Sequence, residues 1–251
     1  MTCRHASGQY LNFFSTEPVD TISTGRALLR TGFVAKECYK SPVDENEGNL
    51  FQVPTLGLRI GLCSRVEMQI FGPLYQRFDR GEEEASSAVG PFSLATKIRL
   101  FEPRAARPGL AFRWGVKLPN VSERTGIDSD EIDFFSELNF GLERKRFSLW
   151  GSVGLRILGN PRSMQSQDDL FSYGIAGRVP VFGFDIVSEI AGAAGPGGRD
   201  WALVRLGMTR QLTHHLVIDA AVSKGVAGDL TPSWEFASGF TLDLGKILRL
   251  Y

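Results

Sequence analysis

Apolar and polar residues alternate one for one along about a dozen segments of this chain, and the charges fall almost entirely on one parity. Leu56, Leu58, Ile60 and Leu62 share one side of their segment, while Gly57, Arg59 and Gly61 share the other. Residues 132–143 repeat the design at greater length. Successive side chains on a strand point to opposite faces, so each segment predicts a strand with one oily face and one charged, glycine-rich face. Further strands are predicted over residues 29–36, 66–70, 92–100, 110–118, 148–157, 172–178, 182–190, 202–208, 216–222 and 234–243. Their oily faces carry Phe33, Met68, Ile98, Trp114, Leu155, Tyr173, Phe182, Phe184, Leu206, Ile218 and Phe240.

The opposite parity carries both signs of charge. Arg30, Lys36, Arg59, Arg65, Lys97, Arg99, Arg113, Lys117, Arg156, Arg178 and Arg205 face Glu67, Asp133, Glu137, Glu143, Asp185, Glu189, Asp219, Glu235 and Asp243. The connections supply a second signal. Long polar ones (41–51, 73–90, 119–130, 158–168, 192–200, 225–233) alternate with short ones (63–65, 102–108, 144–146, 179–181, 210–215). A Greek-key sandwich has no reason to alternate loop length in this way. Outer-membrane barrels do, with short periplasmic turns and longer outer loops. The prediction is all-β: a single up-and-down antiparallel transmembrane β-barrel of about 12 strands, oil outside and charges lining the lumen. Residues 1–25 read as an irregular lead-in, 26–245 as the barrel and 246–251 as a C-terminal extension.

Composition narrows the partners. The 251 residues carry no net charge, which argues against nucleic acid, whose phosphates demand a basic surface. A mean hydropathy of −0.07 is too polar for a bundle of membrane helices, but membrane strands need apolar residues only at every second position. Cys3, Cys38 and Cys63 lack the paired spacing of a metal site or a disulfide framework. The first 14 residues lack the apolar core of a secretory signal; since such a barrel requires export, we expect the coding sequence to begin upstream of Met1.

Several stretches resemble the bacterial family named for the MetA pathway of phenol degradation, over roughly residues 19–245. They are Leu56–Met68, Phe112–Pro119, Phe171–Gly177 and Leu212–Ala220. The resemblance implies an outer-membrane barrel that moves small hydrophobic or aromatic solutes, and it supplies no defined site residues. Tyr251 is an aromatic C-terminal residue of the kind such barrels use for insertion, although here it ends the extension instead of the last strand.

Chemistry beyond transport has little to build on. The histidines are His5, His214 and His215, no G-x-S-x-G elbow occurs, and Ser136 and Ser188 fall on oily faces, so nucleophilic catalysis lacks its parts. The acidic runs at Asp79 with Glu82–Glu84 and at Asp128, Asp130, Glu131 and Asp133 read as solvated loops, as does Gly195–Gly198, which lacks a phosphate loop's lysine and helix. No metal or cofactor is expected. The inward charges would form paired networks filling a modest barrel, or a polar path, or both. Arg59, Arg99 and Arg113 could stack beside Phe101 and Trp150. The expected partners are outer-membrane lipid and small hydrophobic or aromatic solutes. A structural or general-diffusion barrel is one alternative. A soluble barrel holding a lipid-like ligand is another.

Overall fold

The computed structural model describes residues 14–81, 85–104, 107–159, 169–197 and 199–248. The strands are β1 (Arg26–Lys40), β2 (Glu47–Cys63), β3 (Val66–Pro73), β4 (Gln76–Asp79), β5 (Ser86–Ala88), β6 (Ser93–Phe101), β7 (Gly109–Lys117), β8 (Asp133–Glu143), β9 (Ser148–Ile157), β10 (Asp169–Val181), β11 (Phe184–Ala194), β12 (Trp201–Gln211), β13 (Leu216–Ala227) and β14 (Trp234–Lys246). Twelve of them pair antiparallel with their chain neighbours, β3 pairing directly with β6. The sheet closes where β1 meets β14, Thr31 opposite Phe240, on one side and β2, Thr31 opposite Leu56, on the other. Closure leaves no open edge along the wall. β4 and β5 lie outside the closed ring: β4 pairs onto the first residues of β2, and β5 pairs onto β4.

The alternation has the sense opposite to that of a water-soluble barrel. Leu155 and Leu206 on the outside are each 55% exposed, whereas Glu67 and Lys97 on the inside are 0% exposed. A lipid-binding soluble barrel requires apolar residues within, so this arrangement excludes that alternative. Both ends of the closed strand set, Arg26 and Lys246, lie opposite each other at the end bearing the short turns.

The long-loop end holds elements that the alternation did not disclose. The 41–51 stretch contains the start of β2, and the 73–90 stretch contains β4 and β5. Leu50 of β2 packs with Phe78 of β4 and Ile127 of the β7–β8 connection, with Tyr39 against them, so a small apolar core rests on this rim. Arg80 ties the same region together, donating to the Thr125 carbonyl (2.7 Å) and lying 4.8 Å from the Phe78 ring. Two assignments at the other rim also change. Arg65 sits exposed in the Ser64–Arg65 turn, not on an inward face, because β2 and β3 pair tightly enough to leave only two residues between them. Phe182 belongs to the β10–β11 turn and is fully exposed.

Candidate functional site: the barrel interior

The interior is not empty. From β1 the chain runs backwards as residues 14–25, without strand structure, into the barrel, where Thr16, Val19 and Ile22 are each at most 2% exposed. Small inward residues make the room. An added Cβ at Gly61 would collide with the Ile22 and Ser23 carbonyls, and one at Gly174 with the Thr16 side chain. The segment's backbone is tied to the wall by buried carboxylates. Thr16 N donates to Glu189 Oε1 (2.6 Å) and Ile22 N to Glu67 Oε2 (2.8 Å). Such charge-assisted bonds satisfy strandless backbone that the closed ladder cannot serve.

Glu17 is the centre of this arrangement. It accepts from Lys97 Nζ (3.0 Å) and Gln69 Nε2 (2.9 Å), and lies 3.4 Å from Arg113 Nε. Burial disfavours its charged form, yet Lys97, Arg113 and Arg59, with the Gln69 amide, hold its carboxyl well below the usual carboxylate range. Lys97 also meets Glu67 (3.2 Å) and donates to the Pro18 carbonyl (3.1 Å). Arg59 bonds Glu67 (2.5 Å). Arg113 donates to Gln69 (2.9 Å) and Glu137 (2.9 Å), and its guanidinium lies between the Phe71 and Phe135 rings at 5.3 and 4.7 Å. The expected aromatic partners for this arginine were Phe101 and Trp150. Phe101 instead lies outside at 65% exposure, and Trp150 is buried nearer Arg178.

Across the barrel, Arg205 joins Glu189 (2.8 Å), Glu235 (2.7 Å) and Ser223 (2.6 Å), with Lys36 3.4 Å from Glu235. Phe14 lies under Arg205 and packs on Trp150, Ala176 and Val187. The other predicted inward charges divide between the two ends. Arg99 bonds the Ser64 carbonyl and Glu102, Arg178 bonds Ser148 and meets Asp185 (3.4 Å), and Asp243 pairs with Arg26, all near the short turns. Lys117 near the long loops meets Asp128 and Asp133 at 2.9 Å each, so two of the acidic residues expected to be solvated are paired. Asp219 is buried on β13, and Arg30 on β1 lines the cavity described next.

Between the lead-in and the long-loop end lies a cavity of about 450 Å³. Phe14, Ser15 and Glu17 floor it. Its wall includes Arg30, Arg59, Arg113, Lys117 and Arg156 against Asp133 and Glu137, together with Phe71 and Phe135. The lead-in was the part of this site that strand periodicity could not reveal. His214 and His215 stand exposed in the β12–β13 turn, away from it. Cys38 and Cys63 are free thiols. Among the described residues no group of three or more His, Cys, Asp or Glu could hold a metal ion. Cys3, His5, Glu82–Glu84, Gly198 and Tyr251 lie outside the described residues.

No protein-family model matches the chain, and no curated protein matches it in sequence. In fold it is similar to an outer membrane channel from Pseudomonas putida F1, with TM-score 0.71 and 11% identity over 92% of this chain and 100% of that one. It is also similar to the NanC porin (TM-score 0.61, 6% identity, 86% and 100% of the two chains). The translocator domain of the autotransporter NalP from Neisseria meningitidis is similar at TM-score 0.53 and 13% identity, over 89% and 90% of the two chains. The architecture is that of outer-membrane barrels.

Proposed function

We propose that this chain is an outer-membrane channel for small hydrophobic or aromatic solutes, with residues 14–25 narrowing its lumen. The observation that carries the reading is the cavity inside the barrel, in which aromatic rings stand beside the cations of the wall. About 150 Å³ of apolar space accommodates benzene, so 450 Å³ has room for one substituted ring and some water. The apolar exterior supports a place in the outer membrane, and the paired inward charges support a lumen that survives desolvation. The resemblance to the phenol-degradation family points to the same solutes. The competing reading, a structural barrel, is favoured by how fully the lead-in and its ion pairs fill the short-turn half.

Uptake by vesicles containing the refolded protein tests the proposal. Phenolic solutes are expected to enter faster than sugars of similar size, and deletion of the gene is expected to slow growth on phenolic solutes selectively. Equal entry of both classes with and without the protein would leave the structural barrel as the better account.

A further inference from the structure

Among the described residues of the cavity, Arg156 is less closely paired than Arg59, Arg113 or Lys117. Arg59 and Arg113 are each bonded to a carboxylate at 2.9 Å or less, and Lys117 donates to Asp128. Arg156 has only a distant approach to Glu137, at 4.0 Å, and its Nε is buried with no hydrogen-bond partner. Its guanidinium lies 5.6 Å from the Trp201 ring, and its side chain is 34% exposed, toward the cavity it lines. A guanidinium held beside an aromatic ring with no carboxylate in hydrogen-bond reach keeps its charge largely unneutralised, and its exposed edge can take an anion from the cavity.

The surroundings indicate what would complete it. Among the described residues, five cations and three carboxylates line the cavity, so an added anion meets a positive surface there. Phe14, Phe71 and Phe135 supply aromatic surface in the same space, and Gln69 and Glu137 fix Arg113 between the latter two. We infer that the cavity is a binding subsite for a small aromatic carboxylate, with its carboxylate on Arg156 and its ring against the phenylalanines. Arginine's planar fork suits a carboxylate better than a phenol hydroxyl, which offers no full charge. The inference rests on the channel reading for its purpose and narrows that reading from aromatic solutes to aromatic acids.

The test uses the full chain refolded in detergent, with Trp201 fluorescence and calorimetry as readouts. The probes are benzoate, benzyl alcohol and acetate. Benzoate is expected to bind about tenfold or more tightly than either comparator, the scale of one charge-assisted hydrogen bond. Arg156→Gln is expected to abolish that advantage by weakening benzoate about tenfold more than benzyl alcohol, and Arg156→Lys to restore part of it. A heat-modifiable gel shift identifies folded variants, and Phe135→Leu, which leaves every ion pair in place, is expected to weaken benzoate binding but not acetate binding. Equal binding of benzoate and benzyl alcohol, or benzoate binding indifferent to Arg156→Gln in folded protein, would overturn the site. Vesicle uptake separates the two proposals. Permeation of phenolic solutes without a benzoate preference overturns the subsite alone, whereas benzoate binding without permeation of any solute overturns the channel alone.

Discussion

Glu17→Gln is expected to loosen the lead-in inside the barrel without unfolding the wall. The carboxylate faces Lys97 at 3.0 Å and Arg113 at 3.4 Å. Removing one member of a buried pair commonly costs about 3–5 kcal/mol, because the other charge is stranded. Here neither cation is stranded: Lys97 keeps Glu67 at 3.2 Å, and Arg113 keeps Glu137 at 2.9 Å. The expected cost is therefore lower, about 2–3 kcal/mol, which corresponds to a roughly 30- to 150-fold rise in the population with the segment displaced. The backbone bonds of Thr16 and Ile22 remain, so displacement stays a minor state.

Single-channel recording measures that population as opening frequency, and maleimide labelling of Ser15→Cys, in a background without the native cysteines, measures it independently. The pH dependence follows from the same carboxylate. Its folded value is depressed, so its stabilisation is complete above the ordinary carboxylate value of about 4.5 and is lost only as pH falls through the lower folded value. If the barrel conducts as proposed, the native protein is expected to show no change attributable to this group between pH 8 and about 5, and to open more often in stronger acid. Glu17→Gln is expected to lack that acid response. Unchanged opening frequency and unchanged Ser15→Cys labelling in the variant would refute this role of Glu17.

The outer band gives a second expectation: Leu58→Arg, Ile98→Arg and Leu155→Arg each cost about 2–4 kcal/mol in lipid if the site lies near the bilayer midplane, measured by urea unfolding from vesicles. Stability unchanged in all three would reverse the assignment of faces. Two inward glycines give a third. Gly57→Ala meets only ordinary contacts, the nearest being Arg30 at 3.5 Å, and is expected to be neutral, whereas a Cβ at Gly154 meets Glu137 Cγ at 2.7 Å and crowds the Ser136 carbonyl more closely still. Gly154→Ala is expected to cost about 1–3 kcal/mol in the same assay, and equal stability of the two variants would show that the interior relaxes freely.

The wall was legible because lipid makes an absolute demand on every second residue. Leu58, Leu155 and Leu206 could not face a charged interior without exchanging places with Arg59, Arg156 and Arg205, so parity alone sets the faces. The rims were less legible because that demand stops where the membrane does. β2 continues to Glu47 beyond Pro54, a residue that ordinarily ends a strand reading, and β4 is only four residues long. Leu50 and Phe51 are both apolar, so this stretch breaks the alternation, and the small core that Leu50 joins comes from Phe78 and Ile127, far apart in sequence. Arg65 and Phe182 were misplaced for a related reason: alternation runs on smoothly into a two-residue turn, and only pairing register shows where the strand ends.

The lead-in has no period at all, but charge balance carries its signature. On the adjoining strands β2, β3, β6 and β7, the inward positions hold Arg59, Lys97, Arg99, Arg113 and Lys117 against Glu67 alone. Buried cations are retained only when paired, so this wall must draw carboxylates from elsewhere. Glu137 on β8 answers for Arg113, and Asp128 and Asp133 answer for Lys117. Lys97 shares Glu67 with Arg59, and Arg99 meets Glu102 of the β6–β7 connection at 3.1 Å, so these cations have fewer carboxylates than charges within reach of the wall. Glu17 reaches Lys97 at 3.0 Å and Asp20 reaches Arg99 at 3.6 Å, both from the segment before the first strand. Its polar residues thus complete a wall that could not be built neutral by strands alone, which ties the lead-in's place in the lumen to the same pairing rule that leaves Arg156 without a close carboxylate at the cavity.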